Sequence, residues 1–80
     1  MCETDFLKYL PENLKFLRSV NGLTQEQIAE IVHVSRSHYN RIEKGRRMPD
    51  LITLCLLLDH YHISFEHIVN YDLNKTLNRF

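Results

Sequence analysis

The sequence predicts an all-α domain, and three observations carry that prediction. Apolar residues recur at three- and four-residue spacing along most of the chain, and helix-capping side chains stand just ahead of several of these stretches. Only two glycines and two prolines punctuate the 80 residues, which argues for helices joined by tight turns. A chain of this length is a single domain near the small end of what folds alone, so its core must be economical.

The first helix is expected from Leu10, Leu14, Phe16, Leu17 and Val20, with Pro11 suited to a first turn and Gly22 to the left-handed position just past the end. Thr24 and Gln27 then form a capping box, in which hydroxyl and amide satisfy each other's backbone donors. Ile28, Ala29, Ile31 and Val32 make the second helix. Ser35 caps a third, whose apolar positions are Tyr39 and Ile42 and whose end is marked by Lys44-Gly45. Asp50 caps a fourth, whose face of Leu51, Leu54, Cys55, Leu58 and Tyr61 is expected at the centre of the core. Ser64 caps a short fifth helix that turns Phe65, Ile68 and Val69 inward. The last ten residues keep Leu73, Leu77 and Phe80, three large side chains that must fold back or pack against another copy. The chain thus divides into an N-terminal arm (1–9), a helical domain (10–70) and a C-terminal extension (71–80) suited to dimerisation.

Charge is neutral overall but unevenly placed. Residues 36–47 hold Arg36, Arg41, Lys44, Arg46 and Arg47 against Glu43 alone, a net +4, while the segments before and after each carry −2. Such a chain keeps one positive face without adhering to every polyanion, because exposed charges are screened beyond ~8 Å at physiological salt.

Several function classes are disfavoured. The longest apolar run, Leu54 to Leu58, is far short of the ~20 residues that cross a bilayer, and no secretory signal is visible, so no membrane partner is expected. Cys2 and Cys55 do not form a disulfide framework, which points to a reduced, cytoplasmic setting; Cys55 reads as a small core residue. His60, His62 and His67 converge poorly as ligands, and neither a metal nor a cofactor is expected. A metal- or thiol-responsive switch is the weakest reading. Catalysis finds no glycine-rich phosphate loop and no nucleophile-base-acid spacing, so the chain does not read as an enzyme.

The second and third helices are joined by very few residues, Ala29 is small where they would cross, and the cations lie on or just after the second of the pair. This arrangement looks like a helix-turn-helix, whose later helix enters the major groove. The stretch "GLTQEQIAEIVHVSRSHYNRIEKGRRMPDLITLCLLLDHYHISFEHI" resembles the Cro-type, lambda-repressor-like (xenobiotic-response-element) helix-turn-helix family over residues 12 to 69. The features that coincide are Thr24-Gln25, Ala29, the Ser35 cap, Ile42-Glu43-x-Gly45, and Pro49 ahead of an apolar helix.

The resemblance implies a five-helix lambda-repressor-like domain that binds double-stranded DNA. Its recognition helix would run from about Ser35 to Lys44, with Arg36, Ser37, Asn40 and Arg41 facing bases. By chemistry, Arg36 suits guanine O6 and N7 and Asn40 suits adenine, each pair worth ~1 to 3 kcal/mol of discrimination. Gln25, Tyr39, Lys44, Arg46 and Arg47 would contact phosphates, which position the protein without reading sequence. Arg18 and Glu43 would pair beneath the recognition helix. His33 stands where a turn glycine is common, and histidine tolerates positive φ better than most residues. Tyr39 replaces an aliphatic residue, its ring buried and its hydroxyl aimed at a phosphate.

One recognition helix touches too few base pairs for useful specificity, so a homodimer on an inverted repeat is expected, joined through helix five and the tail. A repressor is the simplest role for a bare domain. The alternative is a protein-interaction module, such as an antitoxin that holds a small protein partner.

Overall fold

The computed structural model describes residues 8–77, and within the last helix the side chains of residues 76 and 77 lie outside that description. Six helices occupy these residues: α1 (Leu10–Val20), α2 (Gln25–Ile31), α3 (Arg36–Glu43), α4 (Leu51–Tyr61), α5 (Phe65–Asn70) and α6 (Leu73–Leu77). No strand occurs among the described residues. Five of the helices make up the expected helical domain, and the sixth is a further helical turn that opens the extension.

Four of the starts are fixed by side chains. Thr24 Oγ1 accepts from the Gln27 amide at 3.0 Å while the Thr24 amide donates to Gln27 Oε1 at 2.8 Å. Ser35, Asp50 and Ser64 accept from the amides three residues on, those of His38, Thr53 and His67. Each such cap is worth ~1 kcal/mol. Helix ends use the left-handed conformation: His33 (φ 63°) ends the turn after α2, and Gly45 (φ 74°) closes α3. His62 (φ 55°) caps α4 in the same way, at a position where the sequence offered no glycine to signal it.

The core gathers Leu10, Leu14 and Leu17 from α1, Ile28, Ala29 and Val32 around α2, Tyr39 and Ile42 from α3, Leu57 from α4, Ile68 and Val69 from α5, and Leu73. It corrects the expected centre. On α4 only Thr53 and Leu57 are fully buried; Leu54, Leu58 and Tyr61 are half-buried, Leu51 is 76% exposed, and Cys55 is exposed. Residues 53 and 57 are one turn apart and share a face. Because α4 is apolar nearly all round, its pattern contains no polar side to say which face turns inward. Val20 and Phe65 are also outward.

Asn13 pins the extension back. This fully buried amide donates to the carbonyls of Ile68 and Tyr71, both at 2.7 Å, and accepts from the Leu73 amide at 3.0 Å. A buried amide satisfied on both sides ties α1 to the start of α6, so Leu73 folds into its own domain. The Leu77 side chain, Phe80, Cys2 and most of the proposed arm lie outside the described residues.

Candidate nucleic-acid interface

Helix α3 has two unlike faces. Tyr39, Ile42 and Glu43 are buried against the domain, whereas Arg36, Ser37, Arg41 and Lys44 are exposed and Asn40 is half-buried. The helix is held close to α2 by a turn in which Val32 is buried, His33 takes the left-handed step and the Val34 amide donates to Ala29 O at 2.9 Å. Ala29, 2% exposed, leaves room for that approach.

The outward face is one continuous surface. Arg36, Ser37, Asn40, Arg41, Lys44 and Arg46 line an open depression of about 330 Å³. Arg47 is exposed in the following loop but outside this depression; its charge, with that of His38, acts on Asp50. The Asp50 carboxyl lies below its ordinary value, chiefly because the Thr53 amide donates to it.

Behind the helix, Arg18 Nε donates to Glu43 Oε2 at 2.6 Å and Arg18 Nη2 donates to Oε1 at 3.2 Å, a two-point pair. Arg18 also donates to Leu23 O at 2.9 Å. Burial pushes the Glu43 carboxyl upward, yet Arg18, the Tyr39 hydroxyl and Gln25 outweigh it, and the net value lies below the ordinary one. Arg18 is correspondingly raised, first by its hydrogen bond to Glu43.

Gln25 and Asn40 extend this network to the surface. Gln25 Nε2 donates to Glu43 Oε1 at 3.2 Å, and Asn40 Nδ2 donates to Gln25 Oε1 at 3.0 Å. An ionised carboxylate only accepts, so Gln25 must present its amide nitrogen to Glu43 and its oxygen to Asn40. Asn40 must then donate in turn. The orientation of both amides is therefore set by the ion pair, and Asn40 retains its oxygen and one N–H for another partner.

Tyr39 corrects its expected role. It is fully buried, and its hydroxyl faces the Glu43 carboxylate, close enough to influence it but without a well-formed hydrogen bond among the described residues. Burial first, and then Glu43, raise its pKa. A hydroxyl so enclosed does not reach a phosphate, so Tyr39 belongs to the backing of α3. Tyr61, also enclosed, is pushed up to about 12, mainly by burial.

Two residues escaped sequence reasoning. Lys8, just ahead of α1, and Lys15 within it line a second depression together with Gln25, Lys44 and Arg46. The fold brings the two lysines to one surface, whereas in the sequence the net −2 of residues 1–35 conceals them.

The helix-turn-helix family profile matches residues 14–68, which takes in α2, the turn, α3 and the helices that brace them. This chain belongs to the helix-turn-helix family. Among curated relatives, the control protein C.SmaI of Serratia marcescens is 37% identical over 57 residues, 71% of this chain and 68% of its own length. The SPbeta prophage-derived uncharacterized HTH-type transcriptional regulator YonR of Bacillus subtilis is 31% identical over 72 residues, 84% and 67% of the two chains. The HTH-type transcriptional regulator ImmR of the same species is 30% identical over 79 residues, 86% and 62%. The helix-turn-helix chain thus spans about two thirds of the length of these relatives. No solved structure gives a significant match. Among the described residues no helix is long and apolar enough to cross a membrane, and no three His, Cys, Asp or Glu side chains gather where a metal ion could be held.

Proposed function

We propose that this helix-turn-helix protein is a sequence-specific DNA-binding transcription regulator, acting as a repressor by placing α3 in the major groove of an inverted-repeat operator. The observation that carries the reading is the two-faced α3: Arg36, Ser37 and Arg41 are exposed on a helix whose back is locked by Tyr39, Ile42 and Glu43. Rigid backing matters because base reading depends on side chains held in a fixed pose.

In this reading Arg36, Ser37, Asn40 and Arg41 face base edges. Asn40 brings a preset acceptor and donor, the pair that adenine N6 and N7 require. Gln25 sits at the positive end of α2 and contacts phosphate there, with Lys44, Arg46 and Arg47 on the neighbouring backbone.

A second copy completes the binding unit. The described residues measure 32 × 32 × 18 Å, and half-sites one helical turn apart are ~34 Å centre to centre, so two molecules on adjacent half-sites stand edge to edge. Among the described residues Leu51, Ile52 and Cys55 leave an apolar face uncovered on α4, whereas Leu73 is already used internally. The dimer contact is therefore assigned to α4 in place of the tail. The same face is what a toxin-like partner would need, and co-purification of a small protein at unit stoichiometry in place of a homodimer would favour that second reading.

Selection of bound sequences from random duplex DNA tests the proposal. The expected result is an inverted repeat with half-sites about 10 base pairs apart. Arg36→Ala should erase the preference at individual positions, and Arg47→Ala should weaken all sequences alike. Recovery of no preferred sequence would contradict it.

A further inference from the structure

The second depression borders the first. Lys44 and Arg46 line both, and beyond them the surface continues over α1 to Lys8 and Lys15, with Glu12 between. Arg18 and Glu43 neutralise each other there, which leaves four cations facing Glu12 alone. Lys8 and Lys15 are exposed, and Lys8 Nζ rests 5.3 Å from the Tyr9 ring centre, a contact that limits its wandering.

Gly45 is what brings the two walls together. Its left-handed backbone (φ 74°) turns the chain beside α1, and a Cβ built there would stand 3.4 Å from Pro11 Cγ. The loop that carries Arg46 is thereby placed against the N-terminal end of α1. The depression between them, about 580 Å³ and open to solvent, has Lys8 and Lys15 on one side and Lys44 and Arg46 on the other.

We propose that the N-terminal end of α1 and the residues just ahead of it are part of the DNA-binding surface: Lys8, ahead of the helix, and Lys15 within it lie along the sugar-phosphate backbone that borders the groove occupied by α3. This rests on the reading of α3 as the groove-entering helix. The partner is duplex DNA of any sequence, because phosphates are the same at every step and lysine meets them as a point charge. Glu12 sits within the track and opposes the same phosphates, which moderates binding to non-operator DNA.

Each phosphate neutralised adds ~0.9 to the slope of log affinity against log salt. The test is a fluorescence anisotropy titration of the full chain on a mixed-sequence duplex across about 50 to 200 mM salt. The Lys8→Gln/Lys15→Gln variant should have a slope shallower by ~1.8, losing about tenfold less affinity than wild type across that range. Glu12→Gln should bind the same duplex more tightly than wild type. Circular dichroism melting should be unchanged in both variants, since all three side chains are exposed. If the lysine variant keeps the wild-type slope while Arg46→Ala lowers it, the α1 track is overturned and the role of α3 stands. If the wild-type chain binds no duplex at all, both readings fall together.

Discussion

Helices α3 and α4 invert the usual link between hydrophobicity and burial. α3 is a polar helix with two large apolar residues, Tyr39 and Ile42, and both are completely enclosed. α4 is apolar at most of its positions, yet Leu51 and Ile52 are more than 70% exposed and Leu57 is its one fully buried leucine. A helix contributes to the core through its geometry against its neighbours, and α3 packs on both α1 and α2. What α4 has in excess is apolar surface that the described residues do not cover.

That contrast is easiest to break within α4. Leu57→Ala removes a fully buried side chain and should cost about 3 kcal/mol, a fall in melting temperature of ~12 to 24 °C for a domain of this size. Leu51→Ala should shift stability by less than ~0.5 kcal/mol. Equal losses at the two positions, read by thermal denaturation of dilute protein, would erase the distinction.

Next comes the ion pair behind α3. Arg18→Ala leaves Glu43 enclosed without its cation, and a loss near ~3 kcal/mol, at the low end for a buried pair, is expected because Arg18 is partly solvated. Arg36→Ala, one helix face away, should leave the melting temperature unchanged.

The same pair sets an acid limit. In the unfolded chain the Glu43 carboxyl titrates near its ordinary 4.5, and in the folded domain it titrates lower. Above 4.5 its contribution is complete. As pH falls, the unfolded chain takes up the proton first, so stability declines and the contribution is gone once the folded carboxyl is protonated too. The Asp50 cap is lowered as well and acts in the same direction. In Arg18→Ala the buried Glu43 loses the partner that held it down, so the acid transition, followed by circular dichroism, should begin at higher pH than in wild type.

The smallest effect on folding has a clear effect on assembly. Leu51→Ser with Ile52→Ser should change monomer stability by under ~1 kcal/mol but abolish the proposed dimer in sedimentation velocity. A dimer that survives would move the contact away from α4.

The sequence made α3 more legible than α4, for physical reasons. Caps are local: Thr24, Ser35, Asp50 and Ser64 could be placed because each needs only an amide three residues away. The turn at His33 was legible because a histidine stood in a motif that asks for a left-handed residue, while the similar step at His62 had no motif around it. The burial of Tyr39's hydroxyl depends on Glu43 being drawn inward by Arg18, 25 residues away in sequence. The Gln25–Asn40 contact depends on the same carboxylate. Lys8 and Lys15 join the site only through the fold. On α4, leucines at successive positions give every face equal claim to the interior, so local pattern does not single out Leu57 as the one that joins the shared core.

The most direct test is an amide chemical-shift titration of the labelled protein with its selected duplex. Large shifts at Arg36, Ser37, Asn40, Arg41 and the Arg46-Arg47 loop, with Leu51, Ile52 and Cys55 responding to protein concentration and not to added DNA, are the predicted result. DNA-induced shifts centred on α4, with α3 unmoved, would contradict the assignment of the polar helix to the groove and the apolar one to a second copy.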